Sequence, residues 1–263
     1  MKVSVIVAHD KARKDVDLDS LKCDIYDQID AEILIAEDGS KSRARNSAAE
    51  KSEGDILVFL DDDVYLRSQF FQEILTPFQD PSVGIVGGVN LAPPGIQGSE
   101  KISAVLMSSP FLWLRSVARY TPRGGIRESD EAEIIGCCMA VRKTAFNQAG
   151  GFPLDVIPCE ENMLIRRIQL LGWKVIYDPF AIVYHKRAPF PGGYMQKVFD
   201  YGTGRGIMMR RGGSGGFPRS IWKPSWSWIL YSAGFFLHYG SYILGVFYGL
   251  FIKKRYQESN EKK

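Results

Sequence analysis

Residues 54–63 read Gly54-Asp55-Ile56-Leu57-Val58-Phe59-Leu60-Asp61-Asp62-Asp63. Five apolar residues in a row, bounded by Gly54 and Asp61, read as a strand buried on both faces. Three carboxylates follow at once. Adjacent carboxylates repel one another, and a packed core gives them no partner. A divalent cation relieves that repulsion, and hard oxygen ligands suit Mg²⁺ or Mn²⁺. In an open α/β sheet the carboxyl ends of the strands are also where ligands bind. The stretch therefore points to a metal at a strand end that carries a phosphorylated ligand. A polar turn capping the next helix is the competing reading, since Asp is a good N-cap.

The surrounding pattern supports a sheet. Residues 3–8 form an apolar run, residues 33–36 a second, and residues 83–89 another. Helix-like segments at 42–53 and 69–78 separate them. Alternating strands and helices are the signature of a parallel sheet covered on both faces. Residues 102–120 are apolar enough for one covering helix, and 134–141 return to strand character. Residues 163–171 are amphipathic, and 173–177 and 181–185 read as two short strands. The chain has 263 residues, 45% apolar and 24% charged, which allows one large domain or two small ones with a real core.

Several polar positions have two readings. Glu37-Asp38-Gly39-Ser40 follows the second strand, where an acidic residue can meet a nucleotide base or ribose; an Asp-Gly turn is the plainer account. Glu160 and Glu161 open a helix, where the dipole favours acids. His185 closes a strand, and a lone His is more often structural than a ligand. Cys23, Cys137, Cys138 and Cys159 show no CxxC spacing, so neither a zinc site nor a disulfide framework is expected, and a reducing compartment fits. The N-terminal run is too short for a signal peptide.

Residues 186–223 carry eight basic side chains against Asp200 alone. Tyr201-Gly202-Thr203-Gly204-Arg205-Gly206 lies among them, and glycines with basic residues can close over a pyrophosphate or lie on an anionic membrane. Residues 225–252 hold no Asp, Glu, Lys or Arg over 28 positions. Trp222, Trp226 and Trp228 stand at one end and Lys253-Lys254-Arg255 at the other, as at a membrane interface. Gly234, His238, Ser241, Gly245 and Gly249 recur every three or four residues, a small-residue stripe suited to close helix pairing and hence to an oligomer. A single crossing would place the 253–255 cluster against the positive-inside tendency, so association with the membrane is expected and crossing is left open.

In order along the chain these motifs resemble family 2 glycosyltransferases of the GT-A fold. Residues 3–7 look like the opening strand. Ala36-Glu37-Asp38-Gly39-Ser40 resembles the nucleotide-binding motif, Ala44-Arg45-Asn46 the "ARN" motif, and residues 54–63 the motif that ends in DXD. Residues 136–152 resemble the segment leading to the acceptor site, Glu160-Glu161 the catalytic acidic pair, and residues 196–206 the "Q…YGxGRG" segment. The resemblance implies a Rossmann-like, mostly parallel sheet with helices on both faces, followed by a C-terminal hydrophobic helix. It implies a catalytic domain over 1–211 (nucleotide half 1–90, acceptor half 91–211), a linker at 212–224, and a membrane-associating segment with a polar tail at 225–263.

The same resemblance implies roles. Asp63 binds Mn²⁺ or Mg²⁺ with His185 as a further ligand; Asp38, Arg45, Asp61, Asp62 and Arg205 bind a nucleotide-diphosphate sugar; Glu161 is the general base of an inverting transfer. The acceptor is a hydroxyl of a glycan or lipid-linked glycan, reached from the cytoplasmic face of the cell membrane; nucleic acid is not an expected partner. A polyprenyl phosphate acceptor is the alternative, although a phosphate needs no base. The sequence departs from the pattern at Glu161, which replaces Asp, at Glu37, and at Ala8-His9-Asp10, which replaces Pro-x-Tyr-Asn.

Overall fold

The computed structural model describes residues 1–9, 18–37, 39–155, 158–210 and 232–251. Asp38 lies outside the described residues. So do the glycine run at 212–216, Trp222, Trp226, Trp228 and the basic cluster at 253–255.

In chain order the elements are β1 (Val3–Ala8), α1 (Leu18–Tyr26), β2 (Glu32–Ala36), α2 (Lys41–Lys51), β3 (Ile56–Asp61), β4 (Val64–Leu66) and α3 (Phe70–Leu75). Then come β5 (Val83–Leu91), α4 (Gly98–Met107), α5 (Pro110–Trp113), β6 (Arg127–Glu128), β7 (Cys138–Arg142), α6 (Lys143–Gln148), α7 (Glu160–Leu170), β8 (Lys174–His185), α8 (Gly192–Arg210) and α9 (Ser232–Phe251). The chain divides into two compact units. The first comprises Met1–Gln97, Met107–Leu154 and Glu161–Lys186; the second comprises Gly98–Leu106, Asp155–Glu160 and Arg187–Lys263.

The first unit holds the sheet, ordered β2-β1-β3-β7-β5-β8-β4 with β6 beside β8. The expected strand at β3 is there: Ile56 to Leu60 are fully buried. Leu57, Phe59, Met139, Phe146, Phe152 and Tyr177 belong to one core cluster. β2, β1 and β3 run parallel. β7 is antiparallel to both β3 and β5, and β4 and β6 are antiparallel to β8. The sheet is therefore mixed rather than mostly parallel, because β7 and the short β4 and β6 give no period long enough to fix direction from the sequence.

Two other expectations change. The single helix at 102–120 is instead α4, α5 and a 3-10 turn, since Pro110 sits at the first helical position and cannot continue a preceding helix. The two strands at 173–177 and 181–185 are one, β8, whose pairing with β5 shifts register beside Asp178-Pro179.

The second unit contains α8 and α9, packed together. The glycine-containing stretch at 201–206 is helical within α8 and is not a loop. A Cβ on Gly202 would stand 2.1 Å from the Tyr242 carbonyl; one on Gly245, 2.1 Å from that of Phe199; one on Gly249, 2.2 Å from that of Thr203. The small residues thus let two backbones of the same chain touch. The stripe on α9 is filled from within, which removes the observation that suggested an oligomer. Among the described residues no helix is long and apolar enough to cross a membrane.

Candidate active site at the end of β3

β3 delivers Asp61, Asp62 and Asp63 to the carboxyl end of the parallel strands. Asp61 ends β3, Asp62 and Asp63 lie in the turn that follows, and the contacts set Asp61 and Asp63 apart from Asp62. His185 Nε2, at the end of β8, lies 3.1 Å from Asp63 Oδ1 and 3.8 Å from Asp61 Oδ2. β4 pairs Val64 with His185, which holds the two strand ends side by side. Asp62 Oδ2 accepts instead from His9 Nδ1 at 2.8 Å, just past β1.

Asp61 is compensated by two cationic side chains. Arg45 Nη2 donates to its Oδ1 at 2.8 Å and Lys41 Nζ to its Oδ2 at 3.3 Å. Burial alone would push its carboxyl up, but Lys41, His185 and Arg45 together hold it well below the usual carboxylate range. Asp61 in turn raises the Lys41 ammonium.

Two motifs that look separate in the sequence meet to place Arg45. Ser40 caps α2 by accepting from the Arg43 N–H. One turn into α2, the Asn46 amide makes two hydrogen bonds with the Phe152 backbone, at 2.8 and 2.9 Å. Gly151 sits at φ +70° and a Cβ there would stand 2.7 Å from Asn46 Oδ1, so glycine suits this turn. The bracket sets the Phe152 ring edge-on to Phe59 of β3, 5.1 Å away, and lays Arg45 over that ring at 5.4 Å. The bracket therefore fixes where the guanidinium reaches Asp61.

Glu161 lies in the first turn of α7 and is 9% exposed. A Cβ on Gly136 would stand 3.4 Å from its Cβ and 3.6 Å from Arg45 Nη1, so Glu161 and Arg45 flank the same glycine. The next residue, Asn162, is held by Arg119 Nη2 at 2.9 Å, which also donates to the Glu131 carbonyl. Arg205 lies on α8, in the second unit.

The donor set fits a metal. Asp61, Asp63 and His185 each offer an atom, all within 4.8 Å of one another. His185 Nδ1 is 2.7 Å from the Lys186 carbonyl, which can only accept, so Nδ1 carries the hydrogen. In the neutral ring Nε2 is then a lone pair facing carboxylate oxygens. Acceptors that close repel unless a proton or a cation lies between them. The backbone bond also orients the ring in the way that metal-binding histidines are oriented.

The structure thus brings Asp61, Asp63 and His185 together, places Arg45 on Asp61, and puts Asp62 on His9. His9, Lys41 and Arg119 were missed from the sequence. His9 and Lys41 carried a signal, each being a polar residue just past a strand or motif on the ligand side of the sheet; Arg119 carried none, since its partners are 12 and 43 residues away.

The mixed α/β sheet carries its acids at the carboxyl end of β3. The family model described as "Glycosyltransferase like family 2" matches residues 1–199. The chain belongs to that family. It is 23% identical over 218 residues to the O-antigen chain rhamnosyltransferase RfbN of Salmonella typhimurium, covering 78% of this chain and 66% of that one. It is 25% identical over 212 residues to the O-antigen chain rhamnosyltransferase WbaN of Salmonella anatum, covering 76% and 62%. The chain thus spans just under two thirds of these relatives. Among solved structures it resembles the mannosyltransferase PcManGT of Pyrobaculum calidifontis, with TM-score 0.53 and 18% identity over 94% of this chain and 73% of that one. It also resembles residues 1–349 of TarS of S. aureus, with TM-score 0.51 and 13% identity over 79% and 66%. The GT-A fold expected from the sequence is therefore present.

Proposed function

We propose that the chain is an inverting glycosyltransferase that moves a sugar from a nucleotide diphosphate to a hydroxyl of a glycan or lipid-linked glycan. The observation that carries this reading is the facing set of acceptors, Asp61, Asp63 and His185, with Arg45 reaching from Asp61 to the glycine that Glu161 also flanks. The comparisons lend support: PcManGT was solved with GDP-mannose and Mn²⁺, TarS with UDP, and RfbN and WbaN act on O-antigen chains.

Asp63 and His185 hold a divalent cation in this reading. The cation, when bound, supplies positive charge toward the diphosphate leaving group. Arg45 and Lys41 neutralise Asp61 and keep it in place beside the donor. Asp62 and Asp38 belong to the nucleoside end, and Arg205 is retained for the diphosphate on the resemblance alone. Glu161 takes the proton from the acceptor hydroxyl as the new bond forms at the anomeric carbon. The bond from that carbon to the diphosphate breaks on the opposite side, and the nucleotide diphosphate departs with the electron pair. A hydroxyl acceptor needs a base, and Glu161 is a carboxylate in the right family position for one. The apolar segment at 225–252 and its basic end suit a membrane-bound acceptor met at the cytoplasmic surface; this asks for association only.

The test uses purified full-length protein, Mn²⁺ and labelled UDP-, GDP- and dTDP-sugars. One donor should be consumed, and consumption should stop with EDTA or in Asp63→Ala while the fold survives. If no nucleotide diphosphate raises the melting temperature with Mn²⁺ and no donor is consumed, the reading fails.

A further inference from the structure

We infer that Arg119 is a positioning residue for the general base, acting on Glu161 through Asn162; the inference rests on the transferase reading above. The body of α7 is held by Leu164, Ile165 and Ile168, which are fully buried in the core cluster. Its first turn has no such hold from its own backbone. The N–H groups there lack helical partners, and helix ends fray. Glu161 lies in that turn, so its aim depends on what fixes the turn from outside.

Asn162 is buried, and its Oδ1 accepts from Arg119 Nη2 at 2.9 Å. The same Nη2 donates to the Glu131 carbonyl. A guanidinium Nη carries two hydrogens in the plane of the group, so one nitrogen serves both acceptors at a set angle. Glu131 stands just ahead of Gly136 in the chain, and Asn162 directly follows Glu161. Gly136 is also the glycine that Glu161 packs close to. Arg119 therefore ties together the two segments whose spacing sets the place of the Glu161 carboxylate.

The support behind Arg119 is stiff. Val117, Ala118 and Tyr120 around it are all buried. The Ala118 carbonyl accepts from the Tyr177 hydroxyl of β8 at 3.0 Å, and Tyr120 packs edge-on against Trp113 at 5.3 Å. Arg119 itself is only 4% exposed. A guanidinium buried so deeply is costly to keep, and packing alone would be met by an apolar side chain. What the guanidinium adds is direction.

Full-length protein is assayed with Mn²⁺ and the labelled donor that wild type consumes. Single-turnover transfer gives the rate, calorimetry the nucleotide affinity, and melting the stability. Asn162→Ala removes the acceptor oxygen and should slow transfer about 10- to 100-fold, the cost of a carboxylate displaced by up to roughly 1 Å. Nucleotide affinity should stay at the wild-type value. Asn162→Asp keeps the oxygen and should restore most of the rate. Arg119→Lys keeps the charge but loses the fork, and should be as slow as Asn162→Ala; if it unfolds, the two Asn162 variants decide. The double substitution separates positioning from general support. In a Glu161→Gln background, Asn162→Ala should cost less than about 3-fold, because the group it positions is already gone. An equal loss in both backgrounds would overturn the inference. So would a wild-type rate in Asn162→Ala, or a loss of nucleotide affinity that accounts for the slower transfer. If wild type consumes no donor, the transferase reading itself is lost; if wild type transfers and Asn162→Ala transfers equally, only this inference is.

Discussion

The end of β3 and the seam between α8 and α9 both bring together groups that usually keep apart. At β3 they are charges: Asp61 meets Lys41, Arg45 and His185, while Asp63 faces His185 at 3.1 Å. At the seam they are backbones: Gly202, Gly245 and Gly249 leave room for a carbonyl where any Cβ would collide. The outcomes differ. The seam is finished, because every close approach is already filled by the same chain. The β3 end is unfinished, because His185 Nε2 and its facing carboxylate oxygens still require a proton or a cation between them. A conspicuous residue type thus signals a ligand only where its chemistry is left incomplete by the fold. Gly202, which stands among basic residues in the sequence, serves a backbone contact between helices.

The sharpest break between the two regions comes from Glu161→Gln, which keeps shape and removes the proton acceptor. Sugar transfer should fall by roughly two to four orders of magnitude, with nucleotide affinity and melting nearly unchanged. Single-turnover transfer from labelled donor measures it. A dead Glu160→Gln beside an active Glu161→Gln would move the base by one residue and with it the chemistry assigned to this end of α7.

Much of this site was legible because its signals are local. Five buried apolar residues followed by Asp61, Asp62 and Asp63 specify both a strand and its destination, and β3 follows that reading residue by residue. Arg45, Asn46, Gly151 and Phe152 were visible as motifs, but their joint purpose was not, since Asn46 and Phe152 are 106 residues apart. Strand direction was misjudged for a similar reason: β7 is set by pairings with β3 and β5 that no short window contains. The stripe on α9 was read correctly as a close-contact face. Its partner was not, because helical spacing reveals that a face is small and not what lies against it. Asp38 and residues 212–224 lie outside the described residues.

The next effect tests the finished side of the comparison. Gly245→Leu places a branched side chain where the Phe199 carbonyl stands 2.1 Å from a bare Cβ, so the two helices must part. The buried Tyr194–His238 hydrogen bond, 2.9 Å and nearby on the same helix pair, should loosen with them. The cost should be about 3 kcal/mol, seen as lower melting and faster proteolysis of the full chain. If melting stays put and only a dimer dissociates, the stripe serves a partner after all.

The smallest effect probes a carboxylate that has neither kind of compensation. Asp178 is fully buried in β8; Oδ1 accepts from the Phe180 N–H at 2.8 Å, and Oδ2 has no partner. Burial, with a smaller push from Glu73, raises its carboxyl above the usual range, the opposite of Asp61. A carboxyl raised by folding holds its proton more tightly in the folded state. Its contribution to stability is therefore complete below the unfolded value near 3.8 and declines as pH rises through the folded one. Asp178→Asn keeps the acceptor for Phe180 and cannot ionise. At pH 7 the variant should be more stable than wild type by about 1 kcal/mol, and the difference should shrink as the pH approaches 4. Melting temperatures of both proteins across that range measure it. A gap that is constant with pH would mean that folding leaves the Asp178 carboxyl at its unfolded value, and a destabilised variant would mean that its charge is matched by a partner, as that of Asp61 is.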